Sequence, residues 1–178
     1  MENRNLPRLD PSYYQGLAIV HWIFTIKNRK TGYLNERFFL QFQGIAVHAF
    51  SRYQIVCPCI CLMPDHIHIL ALGTSESGSD QQVAIAFLRR HLRQHLSPFE
   101  FQRPAFDHVL RDRERSREEF QKTAAYILEN PARAGLVDSA TDWPFACAIV
   151  PGYPDLDPHA ANFWDVFWNI YSRKIETS

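Results

Sequence analysis

The chain has 178 residues, 46% of them hydrophobic and 13% aromatic, which suits one domain with a sizeable core and excludes disorder along its length. Nineteen Lys and Arg balance nineteen Asp and Glu, so net charge alone argues neither for nor against a nucleic-acid partner. No apolar run is long enough to span a bilayer, and the first one follows Arg4, Arg8 and Asp10 and does not read as a secretory signal, so a soluble, cytoplasmic protein with no membrane partner is expected.

Residues 1–16 are polar, carry two prolines and read as an extended N-terminal arm. Leu17–Lys27 is the first strand, with Val20, Trp22, Phe24 and Ile26 alternating with His21, Thr25 and Lys27. Gly32 marks a turn, and Asn35 is an N-cap for a helix to about Phe50. Phe38, Phe39, Phe42, Ile45, Ala46, Ala49 and Phe50 form its apolar stripe. Tyr53–Met63 is a second strand, in which Pro58 removes a ladder donor and calls for a bulge or an unpaired edge. Cys57, Cys59 and Cys61 alternate, so on a regular strand they share one face. Their spacing suits neither zinc nor a disulfide; with Cys147 they read as small buried residues in a reducing compartment.

Pro64-Asp65 makes a tight turn, and His66–Leu72 returns as a third strand. This hairpin is apolar on both faces apart from its histidines, which places it in the middle of a sheet. After a Gly/Ser-rich loop, Ser79 or Asp80 caps a helix to about Leu96, with Val83, Phe87, Leu88 and Leu92 inward and Arg89, Arg90 and Arg93 on or near the other side. Arg103–Arg111 is a short fourth strand whose apolar residues are Ala105, Phe106, Val109 and Leu110. Ser116 caps the next helix, with Glu118 and Glu119 in its first turn, and it runs to about Asn130 before Pro131 ends it. Pro131–Ala134 begins a short turn closed by Gly135, and Thr141–Pro154 is loop-like. Asn162–Tyr171 is a last amphipathic helix that docks on the core through Phe163, Trp164, Phe167, Trp168 and Tyr171. The order β-α-β-β-α-β predicts an α+β, ferredoxin-like sandwich: a central antiparallel sheet with helices on one face, followed by a C-terminal helical extension.

Chemistry concentrates in two places. His66 and His68 stand two apart on a strand and so face the same way, a pair suited to one metal ion. Spacing alone leaves metal ligation and satisfied core histidines both open. Tyr126 and Asn130 are four apart and share a helical face, and Asn130 sits at the helix end with its amide oxygen free to face a cation. Two imidazoles and an amide make a weak site with open positions, suited to Mn²⁺ or Mg²⁺ when a phosphodiester supplies further oxygens. A tyrosine beside such a site is a candidate nucleophile on phosphorus.

Met63-Pro64-Asp65-His66-Ile67-His68-Ile69-Leu70 resembles the His-hydrophobic-His motif of HUH single-strand endonucleases, and most closely that of the REP-associated tyrosine transposases, where Asn usually stands at the position of Asp65. Tyr126-Ile127-Leu128-Glu129-Asn130-Pro131, continuing to Val137, is similar to the same family's tyrosine block. Phe106–Arg111, Trp143-Pro144-Phe145 and the strand from His21 to Thr25 with Lys27-Asn28-Arg29 also resemble family elements, in the right order, over roughly residues 17–145. One departure is Ala146-Cys147, where the family often has Ser-Ser. The resemblance implies a single-tyrosine transposase domain over 17–145, with 146–178 as the extension. It implies metal ligands at His66, His68 and Asn130, a nucleophile at Tyr126 and a single-stranded, hairpin-forming DNA substrate. Lys27, Arg29, Lys30, Arg89, Arg90, Arg93 and Arg133 are the expected contacts to the DNA backbone. A monomer is favoured over a homodimer. The rival readings are a catalytically silent DNA-hairpin-binding protein derived from such an enzyme, and a small two-histidine metal hydrolase unrelated to DNA.

Overall fold

The computed structural model describes residues 9–111 and 114–176, so residues 1–8 of the expected arm lie outside the described residues. The rest of the arm is not extended. Pro11–Tyr14 form a 3-10 turn capped by Asp10, because the Tyr14 ring buries fully and packs 5.5 Å from Trp22.

Among the described residues, five strands make one antiparallel sheet: β1 (Ile19–Thr25), β2 (Ile55–Leu62), β3 (His66–Gly73), β4 (Phe106–Val109) and β5 (Ala146–Ile149). Their order is β4-β1-β3-β2-β5, so the strand that carries the histidine pair is the central one, as its two-sided apolar pattern requires. The stretch read as a loop after Thr141 contains β5, a short edge strand hydrogen-bonded to β2. Only four residues long, it shows too little alternation to be separated from a loop by pattern.

Of the two outcomes expected at Pro58, a bulge or an unpaired edge, the structure shows the bulge. The register of β2 shifts between Val56 and Cys59 against β3, and between Cys57 and Ile60 against β5. The extra residue reverses the facing of the chain beyond it. Cys57 packs in the core under the first two helices, whereas Cys59 and Cys61 pack on the other side of the sheet. The expectation that the three cysteines share a face is therefore corrected by the bulge.

Helices α1 (Glu36–Arg52) and α2 (Gln81–Leu96) cover one face. The caps are those expected: Asn35 Oδ1 accepts from Phe38 N at 2.9 Å, and Asp80 Oδ1 from Val83 N at 3.0 Å. On α2, Leu88 and Leu92 are buried and Phe87 packs against the core as expected. Val83 is exposed, and Gln81, Ala84 and Ile85 face inward instead, Gln81 because its amide accepts from Trp22 Nε1 and donates to Ala18 O. Phe106 likewise points to solvent from β4.

Helices α3 (Arg117–Leu128), α4 (Asn130–Arg133) and α5 (Phe163–Glu176) complete the chain. Ser116 caps α3, which stops at Leu128; Asn130 begins the short α4 rather than ending α3. The last helix docks as expected, with Phe120 of α3 meeting Trp164 and Trp168 edge-on. This packing lies on the second face of the sheet, with Ile19, Cys59, Cys61, Leu70 and Leu72. The helices thus occupy both faces, not one. Among the described residues no helix is long and apolar enough to cross a membrane.

Candidate functional site

The second face is only partly covered. Register sets what stands in its open part: Thr25 lies opposite His66, Ile23 opposite His68, and His108 of β4 opposite His21. All of these side chains point away from α1 and α2, because residues directly opposite in an antiparallel ladder share a face.

His66 and His68 are brought together. Their Nε2 atoms lie 2.9 Å apart, with the rings edge to face. Two nitrogens held about 2.1 Å from one ion at a right angle would stand about 3.0 Å apart, so this separation fits a pair of adjacent ligands. Each ring is oriented from behind. His66 Nδ1 is 2.6 Å from Asp65 Oδ1, and Asp65 in turn accepts from Arg29 Nη1 at 3.0 Å. His68 Nδ1 is 3.0 Å from Nε2 of His21. Carboxylate and imidazole partners of this kind fix the ring plane and tautomer of ligating histidines.

Burial dominates the electrostatics. It pushes the His68 imidazole down to about 3, assisted by repulsion from His21 and His66, and it pushes His21 down to about 4, assisted by His108. Both rings are therefore neutral at pH 7, the state a metal ligand requires. Burial raises the Asp65 carboxyl, but the hydrogen bonds from His66 and Arg29 outweigh it and hold the group below the ordinary carboxylate range.

Among the described residues no group of three or more His, Cys, Asp or Glu side chains is arranged to hold an ion. Asn130 is the candidate of another type that the sequence singled out. Its Nδ2 donates to the carbonyls of Tyr126 (2.9 Å) and Ile127 (3.2 Å), which ties off the end of α3. The amide nitrogen is thereby committed, and the oxygen is left as the group able to take a cation.

α3 lies over β2 on the imidazole side of the sheet. Cys59 Sγ donates to Ala124 O at 3.6 Å, and the next residue on that side, Cys61, stands opposite His68. The chain beyond α3 leads to Trp143, whose Nε1 donates to Leu62 O at the His66 end of the sheet. Tyr126 is 51% exposed, and the Arg133 guanidinium sits over its ring at 5.1 Å. Among the described residues no hydrogen bond joins Tyr126 or Asn130 to either imidazole.

The expected DNA contacts divide. Lys27 pairs with Glu100 at 2.9 Å, and Arg29 is engaged with Asp65 behind His66. Arg89 donates to Gln102 O at 2.6 Å and lies over the rings of Phe24 and Phe101, so part of its role is to hold the 99–103 segment. Arg90, Arg93 and Arg103 line a groove with Trp22 and Gln82. α2 carries Arg90 and Arg93 on the face opposite the imidazoles, and Arg103 follows in the 99–103 segment, near the sheet end where Gln102 N donates to Thr25 O. Lys30 is exposed. The residue to which sequence reasoning gave no role is His21, noted as a polar member of an alternating strand and as the start of a family-like segment. Its i+2 relation to Ile23 and Thr25 gave its face, but its place beside His68 depends on a pairing register that no single strand encodes.

Fold and site together define an α+β domain whose central strand presents a buttressed His-x-His pair and whose second face carries the helix that bears Tyr126. The chain is 27% identical over 135 residues to a Haemophilus influenzae protein named as a REP-associated tyrosine transposase, covering 67% of this chain and 71% of that protein. Its fold is similar to that of a solved REP-associated tyrosine transposase bound to a REP hairpin, with a TM-score of 0.64, 17% identity and coverage of 79% of this chain and 82% of the other. No family model matches the chain. The resemblance drawn from the motifs is thus upheld by a relative in sequence and a relative in fold.

Proposed function

We propose that the chain is a metal-dependent single-strand DNA endonuclease and transposase that cleaves and rejoins hairpin-forming repeat DNA. The observation that carries this reading is the convergence of His66 Nε2 and His68 Nε2, 2.9 Å apart, on the sheet face against which α3, the helix that bears Tyr126, packs. His66, His68 and Asn130 would hold a divalent ion, Mg²⁺ or Mn²⁺, which when bound withdraws charge from the non-bridging oxygens of a phosphodiester.

The chain's own residues do the rest. Tyr126 attacks phosphorus through its phenolic oxygen. The new bond is a 5′-phosphotyrosine, the bond to the 3′ oxygen breaks, and the phenolic proton ends on the departing 3′-OH. Attack by a 3′-OH on the phosphotyrosine reverses the step and joins strands, with no external energy source. Arg133, over the Tyr126 ring, would contact the phosphate carried there. Asn130 keeps the end of α3 ordered, so the nucleophile is presented from a fixed turn. The relative bound to a REP hairpin supports a hairpin substrate.

The test uses labelled single-stranded hairpin DNA with Mn²⁺ or Mg²⁺. The wild-type chain is expected to form a covalent adduct that survives denaturing electrophoresis. Tyr126→Phe loses it entirely, and His66→Ala or His68→Ala reduces it at least ~100-fold, in line with loss of the charge-stabilising group. Hairpin binding with no adduct would instead establish a silent, binding-only protein.

A further inference from the structure

Four side chains stand in a hydrogen-bonded row that runs from the turn before β3, along β3, to β1: Asp65, His66, His68 and His21, with successive separations of 2.6, 2.9 and 3.0 Å. A neutral imidazole carries one ring proton, so the row admits few consistent proton patterns. With Asp65 ionised, His66 donates from Nδ1 and leaves a lone pair on Nε2. If hydrogen bonds alone complete the row, His68 donates from Nε2 to His66, and His21 donates from Nε2 to His68 Nδ1. If both Nε2 atoms hold an ion, His68 must carry its proton on Nδ1 and needs an acceptor there. Nε2 of His21 is the atom present. His66 is identical in the two patterns; His68 and His21 differ.

We propose that His21 is a positioning residue that switches tautomer with His68, donating to its Nδ1 when no ion is present and accepting from it when one is bound. The inference rests on the metal reading of His66 and His68. It gives His21 a role distinct from a third ligand, because His21 meets the Nδ1 edge of His68, away from the convergence with His66. No net proton is gained or lost. Each of the two rings gives up its Nε2 proton and acquires one on Nδ1, by exchange with solvent. The near-parallel stacking of the rings, centroids 5.1 Å apart and planes at 28°, holds the pair in register for either pattern.

The role makes a substitution rule. Gln at position 21 offers both a donor and an acceptor and should keep most of the affinity; Leu offers neither. Mn²⁺ affinity, read by the electron paramagnetic resonance of free Mn²⁺, is expected to fall about 10- to 100-fold in His21→Leu and to recover in His21→Gln. A second measurement needs no variant. ¹⁵N spectra of the wild-type histidines with and without Mg²⁺ should show His21 and His68 both moving from Nε2–H to Nδ1–H while His66 keeps Nδ1–H. Wild-type affinity in His21→Leu, or a His21 that keeps its Nε2 proton on adding Mg²⁺, overturns the proposal. Mn²⁺ binding that is unchanged in His66→Ala and His68→Ala overturns the metal reading beneath it, a separate result.

Discussion

His68 is only 6% exposed, yet both of its nitrogens have partners, His66 on one side and His21 on the other. A buried imidazole without partners would cost about 1–3 kcal/mol per unmet group, so the row lowers the penalty of placing polar rings on a central strand. The row also sets a pH dependence. His68 and His21 are held down to about 3 and about 4, while an unfolded histidine titrates near 6.5. Between those values the unfolded chain binds protons that the folded chain does not. The stability these rings contribute is therefore complete above about pH 6.5 and declines as pH falls toward 4 and then 3, by up to about 1.4 kcal/mol per pH unit for each ring. Urea unfolding of the metal-free protein at pH 7.5, 6 and 5 measures this. The fall should be shallower in His68→Gln, and an equal fall in both proteins would assign the acid sensitivity to other groups.

α3 is the element on which the proposed chemistry depends, and its ends are both specified. Ser116 Oγ accepts from Glu119 N at 3.3 Å at the start, and Asn130 Nδ2 closes on two carbonyls at the finish. Glu118 and Glu119 sit in the first turn, where carboxylates favour the helix dipole, and both pair with Lys122. Ser116→Ala is expected to destabilise the protein by about 1 kcal/mol without unfolding it, since Phe120 remains fully buried against α5. Chemical denaturation checks the magnitude, and hydrogen exchange should place the loss in the first turn of α3. β2 shows the same dependence of site on local structure. Pro58 makes the bulge, and the bulge turns Cys59 and Cys61 toward α3, so that Cys59 supports Ala124. A regular strand would present a different set of side chains beneath the tyrosine helix.

At the scale of the molecule the charge is zero in sum but uneven in place. Arg90, Arg93 and Arg103 line a groove near the sheet end that also carries Thr25, opposite His66. The groove belongs to the α2 face and the imidazoles to the other. A DNA strand that touches both must therefore pass around the end of the sheet. Hairpin affinity should then fall steeply with salt, by about 0.9 in log K per log unit of salt for each neutralised phosphate. Replacing Arg90 and Arg93 with Ala should make that slope shallower by about 1 for each phosphate no longer neutralised, while adduct formation at saturating DNA persists. A slope that does not respond to the two substitutions would remove the groove from the interface.

Much of this was legible in the residues alone. Alternation and capping signals located β1 to β4, α1, α2 and α3, because each depends on neighbours within a few positions. The His-x-His pair, the Tyr/Asn spacing and the bulge at Pro58 are also local, set by the period of a strand, the pitch of a helix and the missing N–H of proline. What the tertiary structure decided is everything that crosses between elements. It put His21 beside His68 through the β1–β3 register, engaged Arg29 with Asp65, and sent Arg89 onto Phe24 and Phe101. It also recruited Ala146–Ile149 as an edge strand and laid α3 and α5 on the second face. The physical reason is that side-chain periodicity encodes which face a residue takes, whereas register and packing arise from interactions between segments far apart in the chain.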